Sequence, residues 1–185
     1  MAASEFLLST GATPATPASG KLKLFINSSK QLCQVDDAGV LTKLNGQNAT
    51  AQSTPSDPTG TTDTTGKMMG LAGAITPTYT GRLLIIVSGN LTNTTASAGD
   101  GAKAQIRYGT GSAPSNGDAL TGTALGNQVT SVLERATASD LQAFSVQAIV
   151  TGLTVGTAYW IDLGLAAVVG GTGQAKNISI SIIEL

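Results

Sequence analysis

Apolar and polar positions alternate along this chain in short bursts, with turn residues between them. In "KLKLFI", residues 21–26, Leu22, Leu24 and Ile26 fall on one face and Lys21, Lys23 and Phe25 on the other. "NSSK" is turn chemistry. "QLCQV" follows, "DDAG" turns again, and "VLTKL" makes a third short strand. Residues 20–46 therefore read as a three-stranded β-meander. Three such strands bury too little apolar surface to offset the ordering of their backbone, roughly 1–2 kcal/mol per residue. The unit is expected to need a partner, either the rest of the chain or other copies.

A longer series of the same kind occupies residues 67–185. "GRLLIIVSGNL" is an apolar run ending in a turn, expected to be a strand buried on both faces. "KAQIRYG" places Ala104, Ile106 and Tyr108 on one face, and "LQAFSVQAIVTGL" does the same with Phe144, Val146 and Ala148. "TAYWIDLGLAAVVGG" aligns Tyr159, Ile161, Leu163 and Leu165, with Trp160 on the opposite face. "NISISIIEL" keeps Ile178, Ile180 and Ile182 in phase. Loops of Gly, Ser and Asn separate these stretches, and no segment has sustained helical spacing with caps. The fold expected is all-β, a sandwich or jelly roll.

Two stretches lack the pattern. Residues 1–19 are Ala, Thr, Ser and Pro around one apolar cluster, Phe6, Leu7 and Leu8, and read as an extended arm. Residues 47–66, "QNATAQSTPSDPTGTTDTTG", are polar with Pro55 and Pro58, and read as a linker. Fully extended, it would reach roughly 65 Å.

Composition narrows the function more than the fold. Only 11% of residues are charged, so Thr, Ser, Asn, Gln and Gly must cover most of the surface. Net charge is −1 and the ten Lys and Arg are scattered, which argues against nucleic acid as a partner. No apolar run approaches the roughly 20 residues of a membrane-spanning helix. With no histidine, neither a Ser–His–Asp nor a Cys–His arrangement can be built. Asp100, Asp118, Asp140 and Asp162 sit singly, without the spacing of metal ligands, and are expected to be structural. "YGTGSAPSNG" lacks the following helix and Lys of a phosphate loop. Cys33 is expected to be a buried thiol. Trp160, out of phase with its core neighbours, is expected to face the second sheet, a neighbouring copy or a ligand. No enzyme, cofactor or metal site is expected.

The stretch "GKLKLFINSSKQLCQVDDAGVLTKL" resembles the small N-terminal β-unit of tailed-phage fibre, spike and head-decoration proteins. "MMGLAGAITPTYTGRLLIIVSGNLTN", "GDGAKAQIRYGTGSAPSNGDALTGT" and "IVTGLTVGTAYWIDLGLAAVVGGTGQAKNISISIIEL" together are similar to a domain of phage structural proteins. The resemblance implies a homotrimeric virion protein with a jelly-roll head of the tumour-necrosis-factor-like kind. Its expected place is the particle surface, after assembly in the host cytoplasm, as head decoration, cement or head fibre on the major capsid protein. Contacts to capsid or sister chains would come from Phe6, Leu7, Leu8, Leu22, Leu24, Ile26 and Leu32. A tail fibre or spike binding a host-surface glycan, with Trp160 as a weak candidate contact, is the second expectation. A secreted carbohydrate-binding or adhesion module is the third.

Overall fold

The computed structural model describes residues 10–28, 30–44, 48–95, 97, 99–132 and 140–185, with the backbone alone for Thr10, Thr42 and Lys43. The described residues form strands and loops, with no helix. The chain divides into two compact units, residues 1–47 and 48–185.

The smaller unit is one four-stranded sheet in the order β1 (Thr10–Gly11), β2 (Lys23–Asn27), β3 (Leu32–Val35) and β4 (Leu41–Lys43). The three expected strands are present, and the two residues of β1 add a parallel fourth at the edge. Asp36 makes the β3–β4 turn by accepting the N–H groups of Ala38 and Val40 on Oδ1. Phe6, Leu7 and Leu8 lie outside the described residues.

The larger unit has two antiparallel sheets. One runs β11 (Gln142–Val150), β8 (Leu83–Asn93), β13 (Gly173–Glu184), β5 (Thr50–Ser53). The other runs β10 (Thr123–Val132), β9 (Gly101–Thr110), β12 (Tyr159–Ala167), β6 (Lys67–Met68), and β7 (Gly73–Ile75) also pairs with β12. Only the β9–β10 connection joins neighbours within one sheet; β7–β8, β8–β9, β10–β11, β11–β12 and β12–β13 all cross between sheets. That winding is a jelly roll. Leu83, Ile85 and Val87 of β8 meet Ile161, Leu163 and Leu165 of β12 and Ile180 and Ile182 of β13 in the core between the sheets.

Three expectations change here. Residues 47–66 are not a free linker: β5 lies inside that stretch and pairs with β13, Ile182 opposite Ala51, so the larger unit begins at Asn48. Thr61 bridges to Gly173, and the Ala167 N–H donates to the Asp63 carbonyl at 2.9 Å. The polar composition hid these residues because an edge strand buries only one side of its backbone. Secondly, the apolar half of β8 is fully buried on one face only; Leu84 and Ile86, on the other, are half-buried. Thirdly, β10 is a strand that its sequence barely marks.

Candidate docking surfaces

In the small unit Phe25, Cys33 and Val35 form a buried cluster on one face of the sheet. Lys23, opposite Val35, shares that face, and its ammonium donates to the Ala15 carbonyl at 3.0 Å. The buried Pro17 and the contact of Thr16 with Gly39 hold residues 15–17 to the same unit. The N-terminal stretch thus lies against part of the Phe25 face, while Leu41, opposite Val35 on that face, stays 44% exposed. The opposite face carries Leu22, Leu24, Ile26, Leu32 and Leu44. Leu22 is 57% exposed, Leu24 44% and Leu44 45%, with Ile26 and Leu32 half-buried. Alternation had placed Leu22, Leu24 and Ile26 together, and they share the open face. Phe25, assigned to the lysine side, anchors the buried cluster on the other face. Leu44 was not expected in the set; the donation of its N–H to the Leu32 carbonyl at 2.7 Å extends the face.

The larger unit has a second open face, the outer side of the β11–β8–β13–β5 sheet. Ile149, Leu84 and Ile183 stand side by side across three strands, and Ile86 lies in the next row between Gln147 and Ser181. Ile149 is 50% and Ile183 42% exposed. From Leu84 to Ser88 the rows hold Leu, Ile, Ser, Thr and Gln; the flanking charges are the exposed Arg82, two residues before Leu84, and Lys176, opposite Asn90.

Trp160 is only 6% exposed and offers almost no ring to a ligand. Its indole N–H donates to the Thr110 carbonyl at 3.1 Å, and its ring lies where side chains at Gly109 and Gly122 would be. The expected ligand contact is instead a seal between β12 and the loop after β9. Cys33 is a buried free thiol, with its sulfur 3.5 Å from the Gln31 carbonyl.

The carboxylates are bound to backbone. Asp162, 1% exposed, accepts the N–H groups of Gly70 at 2.9 Å and Leu71 at 3.0 Å, where the chain bulges between β6 and β7. Burial pushes its pKa above the usual carboxylate value, against the pull of the Leu71, Leu163 and Gly70 N–H groups. Asp100 receives the Thr95 hydroxyl and the Gly170 N–H, and the Thr95 hydroxyl leads in holding its pKa below the ordinary value. Asp118 accepts the Ser115 N–H at 2.7 Å. Asp140 is exposed. Among the described residues no three His, Cys, Asp or Glu side chains gather as metal ligands would.

Glu184 is the acid that sequence reading missed. It is 1% exposed at the end of β13. Oε1 accepts the N–H groups of Tyr79 at 2.7 Å, Thr80 at 2.6 Å and Gly81 at 3.2 Å. Oε2 accepts those of Ala49 and Thr78, each at 2.9 Å. Burial alone would raise its pKa, but the converging N–H groups outweigh it and hold the value at about 2. Nothing local in "SIIEL" marks it, because every donor lies at least 103 positions away.

No protein-family model and no curated protein matches this sequence. Among solved structures the chain is similar to the Eiger TNF of S. frugiperda at 10% identity and a TM-score of 0.33, covering 74% of this chain and 85% of that one. It is similar to the C-terminal domain of EclA, described as a sugar-binding protein, at 11% identity and a TM-score of 0.30, covering 74% and 80%. It is also similar to the infectious bursal disease virus structure (Gt strain), at 12% identity and a TM-score of 0.39, covering 88% of this chain and 42% of the other. The all-β jelly roll stands on the strand order itself.

Proposed function

We propose that this chain is a non-enzymatic structural protein of a phage particle, a head decoration or head fibre protein that docks on the capsid through its small unit. The observation that carries the reading is the open face of Leu22, Leu24, Ile26, Leu32 and Leu44 on a sheet whose buried cluster, Phe25, Cys33 and Val35, lies on the other face. Aliphatic side chains left bare on so small a unit favour a further partner, since each gains roughly 25 cal/mol per Å² of apolar surface removed from water. The larger unit projects from the particle surface and assembles as a homotrimer. The neutral Ile149–Leu84–Ile183 row supports self-association, since three copies packed about an axis would remove its aliphatic side chains from water.

Docking is tested with the Leu22→Glu/Leu24→Glu double variant. Both side chains are exposed, so the melting temperature should hold while co-sedimentation with particles assembled without this chain is lost. Full retention on particles would overturn the docking role.

A further inference from the structure

In the larger unit the two sheets come together along one side at β5 and β7, which are neighbours in space. Among the described residues β5 pairs only with β13, and β7 only with β12, so each strand has one free edge. Ser53, the last residue of β5, stands opposite the fully buried Ile180. Its hydroxyl is buried and meets no hydrogen-bond partner among the described residues. Such a group is costly to keep, because it gives up its bonds to water and gains none.

The phase of the backbone shows which other polar groups turn to the same place. The Glu184 N–H donates to the Ala49 carbonyl at 2.8 Å, so Ala49 and Glu184 are a hydrogen-bonded pair. Such pairs alternate along an antiparallel ladder. Ala51 and Ser53 therefore bond to β13, and Gln52 turns its N–H and C=O to the free edge. On β12 the Leu163 carbonyl accepts the Met69 N–H at 3.0 Å, and the Ala167 N–H donates to Asp63 at 2.9 Å. The odd-numbered residues of β12 thus face this side. Tyr159 and Ile161 bond to Ile75 and Gly73, and Ala74 between them turns its N–H and C=O away from β12. Gln52, Ser53 and Ala74 line one cavity of about 30 Å³, with Ala51, Ile180 and Ile182 as its apolar wall.

We propose that this cavity is the binding site of one ordered water, which bridges the free edges of β5 and β7. A water needs roughly 10–15 Å³ of such space and two to four polar partners. The Ser53 hydroxyl and the backbone groups of Gln52 and Ala74 supply those partners, donors and acceptors both. No charged side chain lines the cavity, so an inorganic ion does not suit it, and a larger ligand does not fit. The water takes the place of the rung that a direct β5–β7 ladder would make. It ties the first strand of the larger unit to the opposite sheet, and it does so whether or not the small unit docks on a capsid.

The test pairs methyl-labelled NMR of the full chain with thermal melts. Cross-relaxation from water to the methyl groups of Ile180 and Ile182 should be present in the parent chain, since both line the cavity and are otherwise buried. Ser53→Val fills the cavity and should abolish that signal. Ser53→Ala takes one partner from the water and should melt about 2–4 °C lower. Removing a hydroxyl that had no partner would instead leave the melting temperature unchanged or raise it. No water signal at these methyl groups, a signal that persists in Ser53→Val, or a Ser53→Ala chain melting as high as the parent would each overturn the proposal.

Discussion

Each buried carboxylate in the larger unit is a separate contest between lost water and gained N–H groups, and the outcomes differ. At Asp162 burial wins and the pKa rises; at Glu184 the N–H groups win and hold it at about 2. The consequences for stability have opposite signs. Glu184 binds its proton less readily folded than unfolded, where its ordinary value is 4.5. Its contribution is therefore complete above pH 4.5 and drains away as pH falls towards 2. Asp162, raised on folding, favours the folded state once protonated and so partly offsets that loss in acid. Glu184→Gln puts an amide donor against converging N–H groups and should destabilise by about 2–4 kcal/mol at neutral pH. Thermal melts across pH 2–5 would check both points: the variant should melt lower and lose much of the acid dependence. A variant with wild-type stability would show that the carboxylate is dispensable. Neither role is visible in the sequence, where Glu184 is one acid among terminal isoleucines.

Strands were legible in proportion to how much of them is buried. β8, β9, β11, β12 and β13 bury one face or both, so their alternation survives in the sequence. β10 has just one buried residue along it, Ser131, and an irregularity between Leu125 and Val129 in which Gly126 adopts φ +67°, so its two apolar core contacts stand four positions apart with only polar residues and Gly126 between them. β5 is four residues of Thr, Ala, Gln and Ser on a sheet edge, and Pro55 next to it reads as loop. Its place is decided by β13 across the sheet and by Glu184, which takes the Ala49 N–H from 135 positions away. A chain starting at Asn48 should therefore fold as well as the larger unit does in the full protein. A chain starting at Lys67 loses β5 and the Thr61 bridge, uncovers the β13 edge beside Ile180 and Ile182, and should melt several degrees lower. Equal melting of the two truncations would show that β5 contributes no stability.

Self-association belongs to the whole molecule. The apolar run of β8, expected to be buried on both faces, leaves Leu84 and Ile86 half-buried on the outer side. Ile149→Lys places a charge at the β11 end of the neutral row without touching the core. Sedimentation velocity should show the parent chain as a trimer and this variant as a monomer of unchanged melting temperature. A monomeric parent at micromolar concentration, or a variant still trimeric, would remove that face from the assembly.

The sequence by itself determined the all-β class, the phase of the five long core strands and the lack of histidine chemistry. Alternation and residue type are local properties, and no neighbour is needed to read them. Tertiary structure alone decided which face of the small sheet holds the buried Phe25 cluster, that residues 50–53 join the larger unit, and that Trp160 is sealed. Each of these depends on pairing between segments far apart in the chain. The identity of a neighbour across a sheet is not written in the residues of either strand alone.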